Sequence, residues 1–261
     1  MITVFAIAAI LIYATPLVAS LWRRPGIPEI RPLWAALGLP LHLASLVIEW
    51  LQIGALPFAS MRWGLSALAL WVVLGFAFFS RRPRMNTLGA LLLGLGVVLV
   101  AVAQVAPGAD GVPAIPGAWF VAHFALILAG LVGLAVSFGL SALFLFVRNR
   151  LKKKRLKNIG RLPSLERLDQ LNYRAMALGF VSLTAGMAVG GMWAATHPGA
   201  HMGSDITVWG TVLVWLWYAA GLHVRLVSGW RGRLAAIFGV GGFAGLALLS
   251  AAAGLVLRGW H

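Results

Sequence analysis

The residue types best suited to chemistry in this sequence are its six histidines, and the chain has no cysteine at all. Neutral imidazole is a common metal ligand, and it is also the side chain that gains or loses a proton near neutral pH. The lack of cysteine excludes disulfide exchange, thiolate metal sites and covalent attachment of haem through a thiol. Any redox or metal chemistry in this chain must therefore use His, Tyr, Trp or a carried cofactor.

One predicted helix places several polar side chains on a single face. His42, Ser45, Glu49 and Gln52 follow one another at intervals of three, four and three residues, and that spacing aligns side chains along a helix. Ionisable groups inside a membrane cost several kcal/mol on insertion scales and need a partner or a purpose. The pattern fits a hydrogen-bonded network, a proton path or one wall of a polar cavity, and the sequence leaves these three open.

The elements that carry these residues are predicted to be membrane helices. With 61% hydrophobic and 10% charged residues, the chain cannot cover a water-soluble surface of ordinary polarity. Its apolar runs are close to the roughly 20 residues that cross a bilayer. We expect an all-α polytopic membrane helix bundle, forming one transmembrane domain over 1–261 with about eight spans. The spans are predicted near 2–22, 33–56, 63–80, 86–106, 117–147, 172–195, 206–227 and 234–257.

The distribution of positive charge predicts the orientation. The net charge is +15, and Lys and Arg gather in alternate connections, above all in 148–171, whereas Arg62 and Arg258 are the basic residues on the other side. The positive-inside rule makes the basic connections cytoplasmic and places both termini on the periplasmic or extracellular side. We therefore expect a multi-pass protein of a bacterial inner membrane, in contact with the lipid bilayer. This placement gives no reason to expect nucleic-acid binding.

Four histidines fall at two predicted depths. His42 and His223 lie on the cytoplasmic half of their spans, and His123 and His261 lie at the outer interface. Two facing pairs would suit haem, because bis-histidine coordination needs an imidazole on each side of a flat macrocycle. The alternative, that each histidine only hydrogen-bonds to its neighbours, is the simpler explanation of this spacing.

Short segments from about Trp119 onward resemble a known family. The chain has His123 opening a span and then, in order, the segments 168–174, 178–180, 191–194, 215–216, 222–225 and 229–233. In these segments it resembles the cytochrome c assembly membrane proteins, the CcsA and CcmC superfamily, and most closely the HemX and YpjD-like branch. The resemblance implies non-covalent haem b, with an outer histidine pair near the external surface and transmembrane histidines holding haem deeper.

The resemblance assigns some ligands more directly than others. His123 and His223 fall on family positions, His261 looks like the second outer ligand, and His42 is placed by depth alone. Haem-handling members carry a Trp-rich external segment ending in Trp-Asp-Pro-Lys-Glu, of which this chain keeps only Asp205. The rest of that stretch, 197–205, contains His197 and His201, for which loop solvation is the simpler role, while Trp215 in span seven suits a porphyrin edge.

These observations predict a haem-binding integral membrane protein rather than an enzyme. Its role would be haem trafficking, cytochrome c maturation or control of haem synthesis, with other assembly or haem-synthesis proteins as partners. Two alternatives remain at this point. One is a small-solute or ion permease with a polar path at Glu49, His42 and Gln52. The other is an accessory scaffold that uses the basic segment 152–155.

Overall fold

The chain folds into eight α-helices in the part that the structure describes. A computed structural model describes residues 2–22, 33–54, 60–106, 108, 118–154, 162–196 and 206–258. These residues contain no β-strand, so the predicted all-α fold is confirmed. The helices are α1 (Ile2–Trp22), α2 (Leu33–Ile53), α3 (Met61–Phe79), α4 (Asn86–Val105), α5 (Ala118–Lys152), α6 (Leu165–Thr196), α7 (Ile206–Val227) and α8 (Arg233–Arg258).

Most of these helices are long and apolar enough to cross a membrane. Among the described residues, six stretches meet that condition, one in each of α1, α3, α4, α5, α6 and α7. The other two helices contribute the shorter apolar stretches Leu37–Ile53 and Arg233–Gly245, within helices of 21 and 26 residues. Each predicted span thus corresponds to one helix, while the orientation of the termini stays a prediction.

Two helices continue beyond the spans predicted from hydropathy. α5 runs on to Lys152, through the start of the basic connection, and α6 begins at Leu165 and continues without a break to Thr196. Residues 165–171, which precede span six, are therefore the first two turns of α6. Neither 148–152 nor 165–171 contains Gly or Pro, and most of the residues there are good helix formers. Hydropathy predicts which residues lie in the membrane, whereas the helix propensity of the flanking residues determines where each helix ends.

The helices belong to two compact units. Unit 1 comprises Met1–Ala114 and Asn149–Ser164, and unit 2 comprises Ile115–Arg148 and Leu165–His261. In unit 1, α3 and α4 form a hairpin whose buried side chains include Val73 and Phe76 from α3 and Leu92 and Leu93 from α4. The single transmembrane domain expected over 1–261 stays a prediction.

In unit 2, α5 and α6 approach closely along a line of glycines. A Cβ on Gly133 would lie 2.6 Å from the Cα of Gly179, and one on Gly130 would lie 2.9 Å from the backbone nitrogen of Leu183. Small residues permit this approach between membrane helices. We call this contact the α5–α6 seam. Beside it, a core joins helices α5, α6 and α7 through Leu134, Met176, Leu183, Val214, Tyr218 and Leu222.

Candidate functional site

His123 lies on the face of α5 that packs against α6. Ile127 and Gly130 follow it at intervals of four and three residues, and both contact α6 in the α5–α6 seam. The same face brings the His123 ring to the backbone of α6, where Nδ1 lies 2.7 Å from the carbonyl oxygen of Gly186. A carbonyl oxygen can only accept a hydrogen bond, so Nδ1 carries the proton. Nε2 is then the ring nitrogen with the lone pair.

The His123 ring fits against α6 because residue 190 has no side chain. A Cβ on Gly190 would lie 2.6 Å from both Cε1 and Nδ1 of His123. Phe120, on the preceding turn of α5, has its ring centroid 6.0 Å from that of His123, and Trp193 lies 6.4 Å from Phe120. The ring is therefore half-buried among aromatic side chains, in an orientation fixed by the backbone of α6.

This arrangement fits the requirements of a haem ligand. Metal-binding histidines commonly donate their second ring N–H to a carbonyl or carboxylate, which fixes the tautomer and raises the donor strength of the other nitrogen. A porphyrin already supplies four nitrogen ligands, so one or two imidazoles complete the iron coordination. A bare metal ion would need more ligands. The described part of the chain has no group of three or more His, Cys, Asp or Glu residues placed to hold one.

The other predicted haem ligands are His42, His223 and His261, and the structure describes the first two. His223 is exposed on α7 of unit 2, and His42 is buried in unit 1. His261 lies outside the described residues, as do His197, His201 and Asp205. Ligand roles for these residues, and the pairing of His42 with His223, stay predictions.

The polar face predicted on α2 is largely buried within unit 1. His42, Ser45 and Glu49 are 0%, 2% and 5% exposed, whereas Gln52 near the end of the helix is exposed. His42 Nε2 lies 2.9 Å from the hydroxyl of Ser66 on α3. The ring also meets the edge of Tyr13 from α1 at a centroid distance of 6.1 Å. Three helices therefore converge on His42.

Two atoms of this cluster have no hydrogen-bond partner among the described residues. They are Nδ1 of His42 and the hydroxyl of Tyr13, although both residues are fully buried. The ring of Tyr13 lies against the backbone of Gly38, one turn before His42 on α2. Among the described residues, the His42 side chain is thus hydrogen-bonded to Ser66 through Nε2.

The hydrogen bond between Ser66 and His42 should contribute measurably to the stability of the protein. We expect Ser66→Ala to lower the free energy of unfolding by about 1–3 kcal/mol, because the variant leaves Nε2 of His42 buried and unpaired. Tyr13→Phe is the matched comparison, since it removes a buried hydroxyl that has no described partner and should cause no such loss. Thermal unfolding of the two variants in detergent checks this. Equal destabilisation by both would contradict the role given to Ser66.

A second polar site, the Asp169 clasp, joins α6 to α7 and α8. Asp169 accepts hydrogen bonds from Arg225 Nη1 at 3.0 Å, from Arg225 Nη2 at 2.7 Å and from the backbone N–H of Gly232 at 2.8 Å. The Arg225 guanidinium also lies 4.7 Å from the centre of the Tyr173 ring. The two charged side chains are only 10% and 11% exposed, so the clasp is a nearly buried, bidentate ion pair.

The segments 168–174, 222–225 and 229–233 contain these residues, but nothing in their spacing predicts the contact between them. One signal was available, since the chain has only six acidic residues and Asp169 shares a helix face with Asn172 and Met176. Asn172 is itself buried and accepts hydrogen bonds from Ser137 at 2.6 Å and from Ser141 at 3.2 Å. The buried polar residues Asp169 and Asn172 therefore lie on the side of α6 that faces its neighbours.

Trp215 takes part in packing between α6 and α7. Its ring stacks on Phe180 with a centroid distance of 5.4 Å, and its Nε1 donates to the hydroxyl of Thr184 at 2.8 Å. These contacts attach Trp215 to α6, beside the core that joins α5, α6 and α7. A direct contact of Trp215 with haem stays a prediction.

Comparison with known proteins identifies the family. Residues 32–261 match the family described as Cytochrome C assembly protein. The chain belongs to that family. The match includes His42, His123, His223 and the Asp169 clasp, and it begins after the end of α1. The superfamily predicted from the sequence is confirmed, and so is the class of function, a membrane protein of cytochrome c assembly. The HemX and YpjD-like branch stays a prediction.

Several relatives are similar to this cytochrome c assembly protein over almost its whole length. The cytochrome c biogenesis protein CcsA of Synechococcus sp. (strain CC9902) is 30% identical, with 98% of this chain and 94% of the relative covered. The protein of the same name from Parasynechococcus marenigrum (strain WH8102) is 29% identical, with 98% and 93% covered. The similarity therefore includes both units of the chain.

Proposed function

We propose that this cytochrome c assembly protein handles haem during cytochrome c maturation and binds haem b non-covalently through Nε2 of His123. The observation that carries this proposal is the 2.7 Å hydrogen bond from His123 Nδ1 to the carbonyl oxygen of Gly186. That bond leaves the unprotonated nitrogen at Nε2, which is the form of imidazole that binds iron. The family and its relatives supply the biological setting.

The side chains around His123 would each have a defined task. His123 binds, and the carbonyl of Gly186 holds its ring in one tautomer and one rotational position. Phe120 and Trp193 provide aromatic surface beside the ring, which excludes water and suits a flat apolar ligand. Haem, when bound, would supply an iron centre that imidazole nitrogens can bind. His261 would be a second ligand near the outer surface, and His223 would hold haem deeper.

The proposed setting is a bacterial inner membrane, with the His123 end of α5 toward the periplasm. The distribution of Lys and Arg supports this orientation, because the end of α5 opposite His123 carries Arg148, Arg150 and Lys152. Haem and the lipid bilayer are the proposed contacts of the chain, together with other proteins of cytochrome assembly. The chain would move or present haem without a catalytic step of its own.

The proposal is tested by the absorption spectrum of the purified, reduced protein after haem-sufficient expression. We expect sharp low-spin bands in the wild type and roughly a tenfold or greater loss of bound haem in His123→Ala. His223→Ala tests the deeper ligand and should lose part of the bound haem, whereas His42→Ala is the comparison variant, because its ring is buried against Ser66. A loss of haem in His223→Ala or His42→Ala with none in His123→Ala would move the ligand away from α5. A wild type that stays colourless when haem is added would refute haem binding and direct attention to Glu49→Gln and transport.

A further inference from the structure

We infer that Gly190 is a positioning residue for the haem ligand, because its missing side chain leaves the space in which the His123 ring reaches the Gly186 carbonyl. This inference rests on the proposed function and adds a second requirement to it. Gly190 is one helical turn after Gly186 on the same face of α6. The two glycines thus have different tasks, since Gly186 provides the acceptor and Gly190 provides room.

The contacts of Gly190 are specific to the ligand side chain. The three atoms nearest to an added Cβ are all in the His123 ring: Cε1 and Nδ1 at 2.6 Å and Cγ at 3.5 Å. Real Cβ atoms essentially never approach a neighbour closer than 3.0 Å. The atoms that would be pushed are therefore those on the edge of the ring that makes the hydrogen bond.

Other glycines of the α5–α6 seam meet backbone instead. A Cβ on Gly130 would lie 2.9 Å from the backbone nitrogen of Leu183, and one on Gly133 would lie 2.6 Å from the Cα of Gly179. Those positions set the distance between the two helices. Gly190 differs, because the helices could keep their separation after a substitution there provided that the His123 ring moved.

Movement of the ring would change both the tautomer and the donor strength of His123. With a longer Nδ1 to carbonyl distance, the proton is no longer held on Nδ1, and the tautomer protonated on Nε2 has its lone pair on Nδ1, not on the nitrogen proposed to bind iron. Loss of the N–H donor also makes the imidazole a weaker ligand. We therefore expect Gly190→Ala to lower haem affinity by roughly 10- to 100-fold, the usual effect of removing an outer-shell partner, and to raise the midpoint potential of the haem that remains bound.

The neighbouring Gly191 offers a matched control. A Cβ at Gly191 meets nothing within 4 Å, so Gly191→Ala makes the same chemical change on the same turn of α6 without touching His123. We would measure haem affinity and midpoint potential for both variants and the wild type. We would also record the ¹⁵N resonances of the histidines in haem-free protein, with His123→Ala used for assignment. The expected result is a shift of the His123 tautomer in Gly190→Ala alone.

A double variant separates positioning from general misfolding. In the background of His123→Ala there is no imidazole to displace, so adding Gly190→Ala should not lower the melting temperature of that single variant and should change it as Gly191→Ala does. Non-additivity of this kind is what contacting residues show. The inference is overturned if the wild type binds haem and Gly190→Ala matches Gly191→Ala in affinity and potential. A wild type that binds no haem overturns the proposed function as well, which distinguishes the two failures.

Discussion

Replacing Asp169 by alanine should lower the free energy of unfolding by about 3–5 kcal/mol, the usual cost of removing one partner of a buried ion pair. The variant would leave the Arg225 side chain, which is only 10% exposed, without its carboxylate partner. It would also remove the acceptor for the backbone N–H of Gly232, which precedes α8. Because a single side chain joins α6, α7 and the start of α8, its loss should loosen all three connections. Thermal or denaturant unfolding in detergent measures the effect.

Glu166→Ala is the matched control for that prediction. Glu166 is an acid on the same helix, three residues before Asp169, and its side chain is hydrogen-bonded to the nearby Gln170 on the surface. Removing an exposed charge of this kind should change stability by less than about 1 kcal/mol. If Asp169→Ala were no more harmful than Glu166→Ala, the clasp would not hold the helices together. Arg225→Ala should resemble Asp169→Ala, since it leaves the carboxylate unpaired.

Gly133→Ala should destabilise the protein by about 1–3 kcal/mol or somewhat more, as overpacking of a tight contact does. The added methyl group would lie 2.6 Å from Cα and 2.9 Å from the backbone nitrogen of Gly179, and 3.1 Å from the carbonyl oxygen of Ala175. All three atoms belong to backbone, which cannot rotate away as a side chain can. The α5–α6 seam would have to open, and the unfolding transition should move to lower temperature.

The same Gly→Ala change at Gly191, where space is free, should instead raise the free energy of unfolding. Gly191→Ala adds a methyl group where nothing lies within 4 Å, and alanine in a helix is favoured over glycine by roughly 0.5–1 kcal/mol. The pair therefore separates the effect of crowding from the effect of helix propensity. Stabilisation by both substitutions would mean that α5 and α6 do not approach as closely as described.

Both predictions concern α6, which also supplies the backbone carbonyl that orients His123. The Asp169 clasp lies at the first turns of this helix, and Gly186 and Gly190 lie toward its other end. Between them, the α5–α6 seam keeps α6 against α5. The position of the proposed haem ligand therefore depends on packing along the whole helix.

The sequence by itself determined the helices, the apolar spans and the family. These properties are local, because the helix propensity and hydrophobicity of a segment add up along the chain without reference to other segments. The same reasoning was less accurate at the ends of α5 and α6, where helix-forming charged residues extend the helix past the apolar span. The spacing also placed Gln52 on the same face of α2 as His42. In the structure His42, Ser45 and Glu49 on that face are buried, whereas Gln52 is exposed.

The contacts that give the site its chemistry were decided by the tertiary structure. His123 and Gly186 are 63 residues apart, and Asp169 and Arg225 are 56 apart. A histidine in a sequence has two tautomers of similar energy, and only the carbonyl that meets its ring selects one of them. In the same way, the space at Gly190 is defined by a side chain of another helix. The sequence identified His123 as a candidate haem ligand, but the packing of α5 on α6 determined which of its ring nitrogens is available to iron.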